Sequence, residues 1–220
     1  MSTFWQTLAQ PASFLRIVRE YFAAGGRWRG GERLADRDAL QRFIDSRANF
    51  VAQMSLYGYL RTRAGMRYPE LFSNDEFVQA VDAAKWQMWL ACLSDLSVYA
   101  GGLLERRTRS DPARIGTLMT ATLEAILAAS EGTHDAARLE RVRARLTLCD
   151  WTAVPDDGTP FSESPRVLIE CAPIIDELKQ LDEEIVRNSV RFRWQQVRRE
   201  LRRALDADAL MASEASRNET

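Results

Sequence analysis

Two charged residues on apolar helix faces, Arg47 and Asp95, are the first candidates for chemistry in this chain. Arg47 shares a helical face with Leu40, Ile44, Val51 and Met54, and Asp95 shares one with Val81, Ala84, Met88 and Cys92. A carboxylate and a guanidinium removed from water need partners. Such a pair can orient a substrate or move a proton, or it can fix the register of two helices and do nothing else. The two segments carrying them are joined by a turn near residue 69. Both rise about 1.5 Å per residue, so an antiparallel hairpin would place Arg47 within a turn of Asp95. Asn49, Gln53, Tyr57, Trp86 and Trp89 fall near the pair, and the seven residues together form a candidate polar core or pocket. Small residues Ala52, Ser55 and Gly58 are expected to face Ala80, Ala83 and Ala84 and let the backbones approach.

A second constellation lies near the end of the chain. Arg187, Arg191, Arg198 and Arg202 form a stripe beside an apolar seam of Val190, Trp194, Val197, Leu201 and Leu205. Asp176, Glu177, Asp182, Glu183 and Glu184 crowd the preceding half of the same helix, so acids come early and cations late, as the helix dipole favours. The stripe is a candidate contact for a protein partner or an anion. Alternatively, it is a solvated face, or it pairs with a second copy of the chain, acidic half against basic half.

Other catalytic equipment is sparse. His134 is the sole histidine, and Glu131-x-x-His134 occurs once, whereas a di-iron bundle needs that spacing twice. There is no Gly-x-Ser-x-Gly elbow and no P-loop, and no spacing specifies a zinc site. We therefore expect no metal and no cofactor, and a chain that leans away from being an enzyme.

The elements that must position these residues are helical. No sustained period-two alternation occurs, while apolar residues recur at three- and four-residue spacing. Pro11 can open a first helix with Phe14, Leu15, Val18, Tyr21 and Phe22 on one face, closed by Gly25 and Gly26. A second helix is expected from Asp36 or Asp38 to Ala64, and a third from about Asn74 to Glu105 behind a Ser73/Glu76 capping box. A fourth starts at Asp111-Pro112, and a fifth carries Leu139, Val142, Leu146 and Cys149. The stretch 150–164 reads as the longest loop. A helix opens at Ser164-Pro165, and a long last one runs to about Leu205. The expectation is an all-α, single-domain bundle of six to seven helices with a long C-terminal helix. It divides into an amphipathic N-terminal helix and Gly/Arg-rich loop (1–31), the bundle (32–205) and a frayed tail (206–220).

Composition agrees with this picture. At 220 residues, 46% hydrophobic and 28% charged, the chain can bury a core and remain soluble. A net charge of −1 argues against general nucleic-acid binding. Cys92, Cys149 and Cys171 are scattered, with no Cys-x-x-Cys, which suits a reducing compartment without disulfides. No secretory signal is read at the N-terminus. The cytoplasm is the expected location. Peripheral contact with anionic membrane through residues 1–31 is a further expectation, because the first 37 residues carry six Arg against three acids, interleaved with aromatics.

The run Ser55-Leu-Tyr-Gly-Tyr-Leu-Arg-Thr-Arg, the Tyr68-Pro-Glu-Leu-Phe turn and Lys85-Trp through Tyr99-Ala-Gly-Gly resemble an uncharacterised bacterial all-helical family. Its members are sometimes labelled esterases. Phe161-Ser-Glu-Ser-Pro and Glu183-Glu-Ile-Val-Arg-Asn extend the resemblance over most of the chain. The label implies a serine nucleophile, but the elbow that would carry one is missing, and no catalytic residue is transferred. The leading expectation is a non-catalytic interaction or adaptor protein that associates with a protein partner or with itself through the basic C-terminal helix and the aromatic, basic N-terminus. The alternative is a small helical enzyme or apolar-ligand binder with its pocket between the second and third helices.

Overall fold

Helix α1 (Arg37–Ala64) opens where the Asp36 side chain accepts from the Ala39 amide at 2.8 Å, and closes at Gly65, whose φ of 54° favours glycine. A 3-10 turn and the single helical turn α2 (Tyr68–Leu71) lead to α3 (Asp75–Thr108). These belong to a computed structural model that describes residues 31–130 and 135–218. The remaining helices are α4 (Pro112–Ala128), α5 (Ala136–Thr147), α6 (Glu163–Cys171), α7 (Asp176–Ala204) and α8 (Ala207–Asn218). The chain is an all-α single domain, as its helical periodicity predicts. Among the described residues, no helix is long and apolar enough to cross a membrane.

The α1–α3 hairpin is the spine, and α3 is its buried member, touching α1, α4, α5, α6 and α8. Every residue from Met88 to Glu105 is buried. That continuous burial explains why this stretch has no polar stripe: a helix covered on all sides is apolar all round. The glycines expected near the end of α3 lie within it. A methyl group on Gly101 would sit 2.3 Å from the Trp151 ring, and one on Gly102 would sit 2.4 Å from Val154. The loop between α5 and α6 therefore lies directly on the α3 backbone. Gly101→Ala is expected to displace Trp151 and cost about 1–3 kcal/mol, the usual range for overpacking. Chemical denaturation of the variant, alone and combined with Trp151→Leu, would show whether removing the clash restores stability.

Several boundaries differ from expectation. The cap of α3 is Asn74, whose side chain accepts from the Phe77 amide at 3.1 Å, so the Ser73/Glu76 box is not the device used. Ala80 and Ala83 are exposed, and Gly58 instead lies under the Arg193 side chain of α7. The tail after Asp206 is not frayed. Leu34 and Leu205 form a parallel bridge, with the Leu34 amide donating to the Ala204 carbonyl at 2.9 Å and the Asp206 amide donating to Leu34 at 3.2 Å. Asp206 then starts α8, which buries Leu210 and Met211 and holds Glu214 against Arg37. The long helix α7 is therefore penultimate. The tail's polar composition concealed a one-sided apolar pair that only a neighbouring helix could cover.

Candidate functional site

Asp95 is fully buried, as its place on the apolar face of α3 implies. Its partner is Arg145 of α5 rather than Arg47: Arg145 Nη1 donates to Asp95 Oδ1 at 2.7 Å. The Glu163 amide donates to the same oxygen at 3.2 Å, and the Ser164 amide donates to Oδ2 at 2.8 Å. Ser162, in the capping position of α6, makes no side-chain cap of its own. The carboxylate of α3 thus caps α6 from across the core, satisfying amides that a helix start leaves without partners and adding a negative charge where the dipole favours one. Arg145 also donates to Ser94 Oγ at 3.0 Å and to the Pro160 carbonyl at 2.7 Å. Ser164 Oγ in turn accepts from Trp194 Nε1 of α7 at 2.9 Å, and the Trp194 ring stacks on Phe161 with centroids 4.6 Å apart. One acid therefore joins α3, α5, α6 and, through Ser164, α7.

Burial pushes the Asp95 carboxyl above its ordinary range, against the charge and hydrogen bond of Arg145 and the hydrogen bonds of Ser164. With three donors on two oxygens and no exposure, this carboxylate has no face to offer a substrate. The chemistry it performs is the fixing of helices.

Arg47 is some distance away in partner terms. It is nearly buried and lies 2.8 Å from Glu200 of α7. The other members of the expected pocket separate along the hairpin. Gln53 donates to Asn49 at 2.9 Å, Tyr57 is buried in the core, and Trp86 and Trp89 pack edge-to-face at 5.6 Å. None of these contacts is with Asp95, whose donors come from α5 and the start of α6. Arg47 and Asp95 both lie inward, as the hairpin geometry predicts, but they do not meet, because each faces a third helix that two-helix geometry does not include.

The basic stripe of α7 divides into two parts. Arg198 Nη2 donates to the Asp156 carbonyl at 2.8 Å, and Arg202 Nη2 reaches the Asp156 carboxylate at 2.7 Å. Arg202 Nε donates to the Tyr99 hydroxyl at 2.8 Å, which itself donates to Asp156 at 2.8 Å, while Arg106 lies 3.3 Å from the same carboxylate. These two arginines clasp the loop that roofs Gly101 and Gly102. These contacts lie within the fold, and both side chains remain half-buried. Arg187 pairs with Glu183 one turn away along the solvent face, and Arg191 is exposed.

Asp156 is partly buried, which alone raises its pKa, but Tyr99, Arg202 and Arg106 bring the carboxyl below its ordinary value. A depressed carboxylate contributes stability that is present above the unfolded value and lost as pH falls through the folded one. Acidification below about pH 4 is therefore expected to free the loop before the helices melt. Amide exchange over residues 150–160, followed from pH 6 to pH 3, would detect this.

No family model matches this chain, and no curated protein or solved structure matches it significantly. The site must therefore be read from the described residues. Among them, no cluster of three or more potential ligands could hold a metal ion. The thiols of Cys92, Cys149 and Cys171 are all raised by burial, Cys171 to about 12, so none is poised as a thiolate nucleophile. Glu131 and His134 lie outside the described residues, as do residues 1–30 with the expected N-terminal helix, the glycine-arginine loop and the membrane-contact segment.

The outward side of α7 is the feature that charge reading alone missed. Leu181 is 75% exposed, and Ile185 and Phe192 are each 71% exposed. With Asn188 they follow a four-three-four spacing, which places them in a single stripe. The inward stripe of Val186, Val190, Trp194, Val197 and Leu201 is buried. The helix thus carries two apolar seams and uses one against α1 and α6. Over residues 185–192 the two seams run side by side, Ile185 and Phe192 outward and Val186 and Val190 inward.

Proposed function

We propose that this protein is a non-catalytic helical interaction module that binds a protein partner through the solvent face of α7. The observation that carries the reading is the row Leu181, Ile185 and Phe192, large apolar side chains left in water on one face of a regular helix. Single exposed apolar residues are common and need no account, but three large ones on one helix face, interrupted by Asn188 and rimmed by charge, mark a contact surface. Helix-in-groove and helix-on-helix recognition both read anchors at this spacing. The reading moves the interface from Arg198 and Arg202, which hold the Asp156 loop, to the adjacent outward stripe.

The saturated donors around Asp95 favour this reading over a ligand pocket in the α1–α3 hairpin. A hydrolase, as the family resemblance implies, would require an activated serine; Ser164, fully buried and bonded to Trp194, does not supply one.

Leu181→Ser combined with Phe192→Ser is expected to leave the thermal midpoint within a few degrees, since surface changes of this kind cost within about 0.5 kcal/mol. In native mass spectrometry of protein purified gently from its own cells, the native chain is expected to carry an associated polypeptide and the variant to lack it. Association that persists in the folded variant would exclude this face.

A further inference from the structure

The charges flanking the exposed stripe of α7 have an order that a generic partner would not require. The exposed acids Glu177 and Glu184 precede its midpoint, and the exposed cations Arg191 and Arg199 follow it. None of these four makes an ion pair with any described residue, whereas nearby Arg187, Lys179 and Arg63 are engaged with Glu183, Asp176 and Asp182. A helix with an apolar centre, an acidic half and a basic half is complementary to itself when reversed.

We infer that the partner of this face is a second copy of the same chain, paired antiparallel through α7 about a two-fold axis near residues 186–187. This inference rests on the interaction reading above and names its partner. In this register Leu181 of one copy lies opposite Phe192 of the other, and Ile185 lies opposite Asn188. Glu184 then falls two residues, or about 3 Å along the axis, from Arg191 of the second copy. Glu177 falls three residues, or about 4.5 Å, from Arg199 of the second copy, within reach of both long side chains. The two-fold axis makes each pair twice. Asn188 faces Ile185 in this register and gains no amide partner, which weakens the pair.

The size of the contact sets its strength. Stable complexes bury roughly 1,600 Å² in total, and one helix face of about five turns supplies less. The dimer is therefore expected to dissociate in the micromolar range, and to weaken further in 0.5 M salt as the four ion pairs are screened.

The test is sedimentation equilibrium of the full chain from about 1 to 300 µM, with charge-reversal variants. Glu184→Arg alone places arginine against Arg191 at both ends of the contact, and Arg191→Glu alone places glutamate against Glu184. Each variant by itself should dimerise at least about tenfold more weakly than the native chain. Mixed one to one, the two variants restore opposite charges at both ends and should form a heterodimer of near-native affinity. Restoration on mixing is specific to an isologous antiparallel pair. A native chain that is monomeric at every concentration overturns the inference, as does a mixture that fails to associate. The interaction reading fails separately. If the native chain is monomeric but Leu181→Ser/Phe192→Ser still removes a bound polypeptide in native mass spectrometry, that polypeptide covers the face in place of a second copy. If the native chain is monomeric and the stripe variant changes nothing, both readings fall.

Discussion

Replacing Asp95 with alanine is expected to lower the stability of the fold by about 3–5 kcal/mol, toward the lower figure because Arg145 keeps some exposure. The change removes the acceptor for two amides at the start of α6 and leaves Arg145 with Ser94 and the Pro160 carbonyl alone. Asp95→Asn retains one acceptor oxygen and the shape of the side chain, and should cost less, about 1–3 kcal/mol. Urea titration followed by circular dichroism gives both values, provided the slope of the transition is unchanged. An unaltered midpoint for Asp95→Ala would mean that α6 needs no cap from α3. The raised carboxyl also sets a sign. The folded state holds the Asp95 proton more tightly than the unfolded state does, so this residue favours folding most below its ordinary pKa. That contribution is lost as pH rises through the folded value. The native protein should therefore show a pH slope in this range that Asp95→Asn lacks, opposite in sign to the slope from Asp156.

Trp194→Ala is expected to cost a similar amount, about 3–5 kcal/mol, for a different reason. The indole is 1% exposed, stacks on Phe161 and donates to Ser164, so its loss opens a cavity and removes a hydrogen bond together. Trp194→Phe should keep most of the packing and lose chiefly the donor, at about 1 kcal/mol. Because Ser164 links Trp194 to Asp95, the two alanine changes should not add. The double variant is expected to be less destabilised than the two single costs combined, by more than about 0.5 kcal/mol. Simple additivity would show that the acid and the indole act in separate units of the core.

The helical elements were legible in the sequence because their signals are local. The Asp36 and Asp111 caps, the stop at Gly65 and the Pro112 start act within one turn, and each is found where spacing predicts it. The burial of Asp95 was legible too, from its place on an apolar face. Its partner was not. Arg145 sits in a strongly charged helix whose outward arginines look the same in sequence, and only the packing of α5 across α3 singles it out. The same limit applied at the α7 stripe. Arg198 and Arg202 share a spacing with Arg187 and Arg191, but the loop carrying Asp156 meets only the first two.

The tail shows the limit from the other side. Asp206 to Asn218 is too short and too polar to stand as an isolated helix. It forms because Leu210 and Met211 find a surface on the bundle and Glu214 finds Arg37. The chain's local signals specify a helical bundle, roughly where its helices start and stop, and that Asp95 lies inside. Caps, periodicity and turn residues act through neighbours along the chain, and a single chain displays those directly. The tertiary structure alone decided which charge meets which, that one acid caps a distant helix, and that α7 leaves one of its two apolar seams in water. Those outcomes depend on contacts between residues dozens of positions apart, whose distance in space is set by how the helices cross.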